Sequence, residues 1–318
     1  METDYVMETS SSPTPPSKGR QSKIIHHPPS THFAPAKLNV RLKVTARRPD
    51  GYHELVSIMV PIGLYDRLDL QITPGPGVEI SCNGFSAPAN QENLACQAAM
   101  AFFGHTGMDD GLSIRLTKNI PVAAGLGGGS SDAACVLKAL NEAWSCPLTA
   151  TELAELAVGL GADVPFFLTA RPCIARGIGE ILEPIEKWPK LWYIVITPPI
   201  QVSTSWVYGN LNVSAADGFR ELKLTNEAYQ AIITNLKKKP FAIGRFLDND
   251  LEKITIAHFP AIEHIKKSLA KAGADGVLMT GSGPSVFGIF ESREAALQAK
   301  TRLVGSNLGD IFLAQGLL

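Results

Sequence analysis

Apolar residues occupy alternate positions at Leu38, Val40, Leu42 and Val44, with Asn39, Arg41, Lys43 and Thr45 between them. That period of two predicts a half-buried β-strand. Pro49-Asp50-Gly51 then reads as a turn, and LVSIMVPIGL, LDLQI and VEISC as three further strands. In NLACQAAMAFFGHTG the spacing becomes helical, with a stop at Gly104 or Gly107. GLSIRLTK returns to alternation, with Leu112, Ile114 and Leu116 on one face. After a glycine-rich stretch, Ala133, Val136 or Leu137, Leu140 and Trp144 recur at helical intervals. TELAELAVGL predicts another helix, ARGIGEILEPI a turn into a strand, and LWYIVITPPI a buried strand closed by Pro198-Pro199. Beyond it AYQAIITNLKK and AIEHIKKSLAKAG have helical spacing, while DGVLMT and SVFGIF are strands joined by GSGPS. Strands first, with helices interspersed and no regular βαβ alternation, specify an α+β fold. The LWYIVITPPI strand marks a domain boundary, giving domains over 33–190 and 191–318.

The first 30 residues break this pattern. They are rich in Ser, Pro and Thr and lack apolar periodicity, so residues 1–32 read as a disordered tail. The tail has no apolar signal core, and Glu2, Asp4 and Glu8 argue against a transit peptide. His26 and His27 lie in it and are read as no metal site. The rest is ordinary globular sequence: 45% hydrophobic, 19% charged, formal net charge -1. There is no basic excess of the kind a nucleic-acid backbone demands, and no apolar run approaches the roughly 20 residues that span a bilayer. Five widely spaced cysteines without a CxxC pair fit reduced thiols in a cytoplasmic protein.

The densest chemical signal is PVAAGLGGGSSDAA, from Pro121 to Ala134, between a predicted strand and a predicted helix. The first N–H groups of a helix lack internal partners and carry partial positive charge. Glycines before them let the backbone approach a phosphate closely, and Ser130 and Ser131 offer N-caps and hydroxyl donors. A flexible joint with a serine cap would use the same residues, although two would suffice to turn the chain. No lysine follows the glycines as a Walker A loop requires. Gly125, Gly127 and Ser130 nearly meet the Rossmann fingerprint, but Thr151 to Leu160 is helical where that fold needs a strand.

The loop does resemble the P-x-x-x-G-L-[GS]-S-S-type loop of the GHMP kinases. APAKLN from Ala34, RRPDGYHEL from Arg47, GADVPFF from Gly161, ARGIGE from Ala175 and TGSGPSVFG from Thr280 resemble that superfamily in the same order. The resemblance therefore runs from Ala34 to the C-terminus. It implies a ribosomal-protein-S5-domain-2-like N-terminal domain that binds ATP and a ferredoxin-like C-terminal domain, with the site between them. The GLGGGSS form looks like that of the branch with a cytidyl acceptor. It implies transfer from ATP, with Mg2+, to the 2-hydroxyl of 4-diphosphocytidyl-2-C-methyl-D-erythritol, in the non-mevalonate isoprenoid route. The alternatives are another small-molecule kinase of the superfamily, of homoserine or mevalonate type, and a silent nucleotide-binding sensor. A monomer or weak homodimer is expected, without nucleic acid or membrane partners.

The resemblance also distributes roles. Asp163, a carboxylate in the apolar setting of GADVPFF, matches the catalytic base, although a cap or a buried ion pair would also account for it. Pro165 after it predicts an extended Val164, leaving a helix. Lys37 shares its strand face with Asn39 and Arg41, the arrangement of a solvated polar face. The resemblance makes it the active-site lysine that offsets charge during transfer. Asn39 is expected to orient the acceptor. Pro121, Gly125, Leu126, Gly127, Gly128, Gly129, Ser130 and Ser131 are expected to wrap the ATP phosphates, and Asn93, Leu94 and Lys118 to line the adenine pocket. Tyr52 and His53 match the grip on the cytosine, with Tyr208 as its second wall and Trp206 as the alternative. Gly281-Ser282-Gly283 either approaches the site or forms an ordinary hairpin turn. The role of Asp132 stays open, beyond charge complementarity at a helix N-terminus.

Overall fold

The computed structural model describes residues 28–211, 229, 244 and 246–318. The AYQAIITNLKK helix and the segment 1–27 of the tail lie outside them, apart from Tyr229. Seven strands form the first sheet: β1 (Ser30–Arg47), β2 (His53–Pro74), β3 (Gly77–Gly84), β4 (Asp110–Lys118), β5 (Cys173–Gly177), β6 (Ile181–Pro184) and β8 (Asp248–Asn249). Its main path runs β3-β4-β2-β1-β8, with β5 paired to β2 and β6 to β5. The β3–β4 and β1–β8 pairs are parallel and the others antiparallel. The second sheet joins β7 (Trp192–Thr197), β9 (Gly276–Met279), β10 (Val286–Phe290) and β11 (Asp310–Gln315) in the antiparallel order β11-β7-β10-β9.

Side-chain alternation explains how the sheets stack. Leu68, Leu70, Leu112, Ile114 and Leu116 pack with α1 (Leu94–Thr106), α2 (Gly128–Ala143), α3 (Ala150–Leu160) and α4 (Val164–Thr169) in one apolar cluster. On β1 and β2, Leu38, Val40, Ile58 and Val60 meet Tyr193, Val195, Phe287 and Ile289 of the second sheet. The intervening Ile194, Ile196, Val286 and Phe290 point away, into a third cluster. That cluster is completed by α7 (Ala261–Lys271) and α8 (Arg293–Leu303), after α5 (Thr204–Gly209) and α6 (Glu252–His258). Both faces of the second sheet are thus covered, which is why LWYIVITPPI and SVFGIF read as unbroken apolar runs.

The structure changes several details of the sequence reading. LVSIMVPIGL and LDLQI belong to one strand, β2. A register shift, with Ile62 opposite Ala36 but Tyr65 opposite Pro35, interrupts its alternation at Gly63-Leu64. β1 begins at Ser30, inside the segment assigned to the tail. The polar residues Lys37 and Asn39 on β1 are each only 4% exposed. A solvated face is therefore not what that alternation means here.

Candidate active site

The buried Lys37 is held by backbone as well as side chain: its N–H donates to the Leu126 carbonyl at 2.9 Å. Its ammonium lies 3.3 Å from Asp163 Oδ2 and donates to Asn39 Oδ1 at 2.5 Å. Asn39 is fixed in turn, donating from Nδ2 to Ser57 Oγ at 2.8 Å and from its N–H to Thr280 Oγ1 at 2.9 Å. Asp163 occupies the cap position of α4, yet its carboxylate makes no capping bond and its side chain is 36% exposed. A cap is thus excluded, and the pair is only half buried. Val164 is not extended as Pro165 had implied. The proline lies in the first turn of α4, where its missing N–H costs nothing.

The glycine-rich loop lies against this pair. Gly127 caps α2 in the left-handed conformation, φ 71°, so Ser130 and Ser131 fall inside the first turn and neither is the cap. A Cβ on Gly127 would come within 2.8 Å of the Phe167 ring and 3.0 Å of Lys37 Cγ. Gly125, φ 76°, is pressed against the second sheet, where a Cβ would lie 2.3 Å from the Thr280 carbonyl. The first intrahelical bond runs from the Ser131 N–H to the Gly127 carbonyl at 2.9 Å. The amides of Gly128, Gly129 and Ser130 precede it, an arrangement that receives anions.

Gly125, Gly127 and Ser130 border two cavities at once. The larger, about 730 Å³, is bounded by β1, β2, the glycine loop, α5 and the Gly281–Ser282 turn, and takes in Lys37, Asn39, Asp163 and Tyr208. The smaller, about 340 Å³, takes in Asn93, Leu94, Lys118, Pro121, Gly128 and Gly129. A linear ligand can therefore lie in the smaller cavity and present one end, past the loop, to the lysine–carboxylate pair.

The comparisons agree with this geometry. The model for the GHMP kinases N terminal domain matches residues 93–171, and that for the GHMP kinases C terminal domain residues 233–308. A 4-diphosphocytidyl-2-C-methyl-D-erythritol kinase of Syntrophotalea carbinolica is 44% identical over 85% of this chain and 93% of its own. The enzyme of that name from Geobacter sulfurreducens is 46% identical over 84% and 91%. A crystal structure of a 4-(cytidine 5'-diphospho)-2C-methyl-D-erythritol kinase superposes with a TM-score of 0.74 at 34% identity, covering 90% of this chain and 99% of that one. The chain belongs to the 4-diphosphocytidyl-2-C-methyl-D-erythritol kinase family. It is a small-molecule kinase of the GHMP fold, and ATP is the phosphoryl donor expected of it.

At the far end of this kinase's larger cavity, Tyr52 is 59% exposed and His53 packs its ring on Tyr208, centroids 5.1 Å apart. Burial, with Arg47 as a second cause, holds the His53 pKa below the usual imidazole range. Trp206 does not line the cavity; it packs on His258, 4.7 Å between centroids. Of the remaining loop residues, Leu126 points its side chain into the core between the sheets, and only its backbone faces Lys37. Ser131 is 1% exposed, with no partner for its hydroxyl among the described residues.

Lys118 has an environment the sequence did not reveal. Its ammonium donates to Asp66 and, at 2.7 Å, to Asp132; all three side chains are almost wholly buried, and Lys118 and Asp132 form part of the floor of the smaller cavity. Asp66 also accepts the N–H groups of Asn119 at 2.6 Å and Ile120 at 2.9 Å. Asp132 is therefore part of a buried cluster under the loop, and not simply a charge complementing the helix N-terminus. Asp66, Ser57 and Thr280 were not singled out from sequence. Thr280 opens the TGSGPS motif, which offered the only such signal.

Proposed function

We propose that this chain transfers the γ-phosphoryl group of ATP to the 2-hydroxyl of 4-diphosphocytidyl-2-C-methyl-D-erythritol, a step of the non-mevalonate isoprenoid route. One observation carries the mechanism: the anion-receiving loop is the shared wall between a nucleotide-sized cavity and the cavity of Lys37 and Asp163. Asn93, Leu94 and Lys118 border the adenine, and the amides of Gly128, Gly129 and Ser130 hold the phosphates. The acceptor oxygen attacks the γ-phosphorus, its proton passes to Asp163, and the bond from phosphorus to the departing ADP oxygen breaks. Asp163 is suited to this because its carboxylate is half exposed and free of capping duty. Lys37 offsets the charge that builds on the transferring group, and Asn39 orients lysine and acceptor together.

Tyr52, His53 and Tyr208 hold the cytosine ring. Among the described residues no group of three or more His, Cys, Asp or Glu side chains is placed to hold a metal. Mg2+ enters as part of the MgATP substrate, carried on the phosphates. The enzyme is expected to work in the cytoplasm as a monomer or weak homodimer. No helix among the described residues is long and apolar enough to cross a membrane.

An ATP-consumption assay against the cytidyl acceptor, homoserine and mevalonate tests the assignment. Turnover with the cytidyl compound alone is expected, and turnover with homoserine but not with it would refute the proposal.

A further inference from the structure

Three Lys, Arg, Asp or Glu side chains line the larger cavity: Lys37, Asp163 and Arg47. Lys37 and Asp163 offset one another at 3.3 Å. Arg47 has no hydrogen bond or ion pair among the described residues, and this distinguishes it from its neighbour. Arg48 is consumed by the turn, bonding Asp50 and Glu54 at 3.0 Å each. Of the two adjacent arginines, one therefore braces the PDG turn and the other faces the cavity.

Its place is specific. Arg47 ends β1 directly opposite His53 in the β1–β2 register, beside the aromatic residues that grip the base. Burial and the charge of Arg47 both disfavour a proton on His53, which makes it the weaker cation there. The cavity thus has one uncompensated positive charge, next to the base site, in surroundings formed largely by aromatic, aliphatic and hydroxyl side chains. Arg47 is an exposed residue, and a guanidinium presents two parallel N–H donors that match phosphate oxygens. An acceptor that joins a cytosine nucleoside to its reacting alcohol through a diphosphate places its charge beyond the base.

We infer that Arg47 binds the diphosphate of the acceptor and makes this site select a cytidine diphosphate ester over an uncharged cytidine compound. The inference rests on the cytidyl-acceptor reading above. Its test uses CDP and cytidine as inhibitors competing with the acceptor at saturating ATP, on the full-length enzyme. In the natural protein CDP is expected to bind more tightly than cytidine by about tenfold to a hundredfold, the value of a charge-assisted hydrogen-bonded contact. Arg47→Gln collapses that ratio to about threefold or less, because cytidine inhibits both proteins alike and only CDP loses affinity. Arg47→Lys recovers part of the ratio. An unchanged CDP-to-cytidine ratio in Arg47→Gln overturns the inference while leaving the cytidyl site standing. If neither compound competes in the natural protein, the cytidyl-acceptor reading fails and takes the inference with it.

Discussion

Two lysine–carboxylate centres flank the glycine loop, and they differ in burial more than in chemistry. At Lys37–Asp163 the lysine is buried but the carboxylate side chain is 36% exposed, 3.3 Å away and facing a cavity. At Asp66–Lys118–Asp132 none of the three side chains is more than 3% exposed. A carboxylate that accepts a proton from a ligand has to be reachable by it. Asp163 is far more exposed than Asp132, which borders the smaller cavity with its side chain almost wholly buried. The buried cluster instead ties β2, β4 and α2 together under the loop, where a charge left alone is expensive. An ion pair near a phosphate loop therefore says little about catalysis until the exposure of its acid is known.

The contrast breaks most sharply at Asp163. Asp163→Asn keeps the shape of the site and removes the carboxylate proposed to accept the proton. In kinetic assays kcat is expected to fall by about 10²–10⁴-fold, while ADP binding by calorimetry survives. Unchanged turnover would transfer the base role elsewhere. Lys118→Met is the complementary experiment. It leaves the buried Asp66 carboxylate without its ion pair and is expected to cost about 3–5 kcal/mol in urea denaturation. A stability loss below about 1 kcal/mol would show that the cluster is not structural. Lys37→Ala should lower kcat by about 10²-fold through lost charge stabilisation, but cost little stability for its charge pair, because solvent screens the half-exposed Asp163.

Much of this architecture was written in local pattern. The alternation at Leu38–Val44 marked β1, and the glycine run between strand and helix marked the turn that opens α2. What stayed hidden depends on pairing across distance. Asp66 and Lys118 meet only because Arg67 pairs with Thr117 in the β2–β4 register, which no spacing along the chain expresses. The burial of Lys37 is equally remote: β1 alternates like an exposed strand, but the loop at Leu126 covers its polar side. β11 was missed because DIFLAQ is a short edge strand, mostly half-buried, with little apolar contrast. α4 was missed because Pro165, a start signal in a first turn, reads from sequence as a stop.

The most gradual effect separates the two centres by pH alone. Burial, reinforced by the nearby Asp66, outweighs the attraction of Lys118 and pushes the Asp132 pKa up to about 8. In the unfolded chain the same group titrates near 3.9. Between about pH 4 and pH 8 the native protein thus holds a proton that the unfolded chain has released. Stability then falls as pH rises, because the bound-proton difference between unfolded and native states is negative. The stabilising contribution is complete below about pH 4 and gone above about pH 8, with a slope of at most about 1.4 kcal/mol per pH unit. His53, whose pKa is depressed by burial, works in the opposite direction, but equally in any variant that leaves it in place. Asp132→Asn removes only the first titration, so urea midpoints measured at pH 5, 6.5 and 8 should decline less steeply than in the natural protein. Parallel declines in the two proteins would mean that Asp132 is ionised throughout, and that the buried centre carries the same charges as the open one.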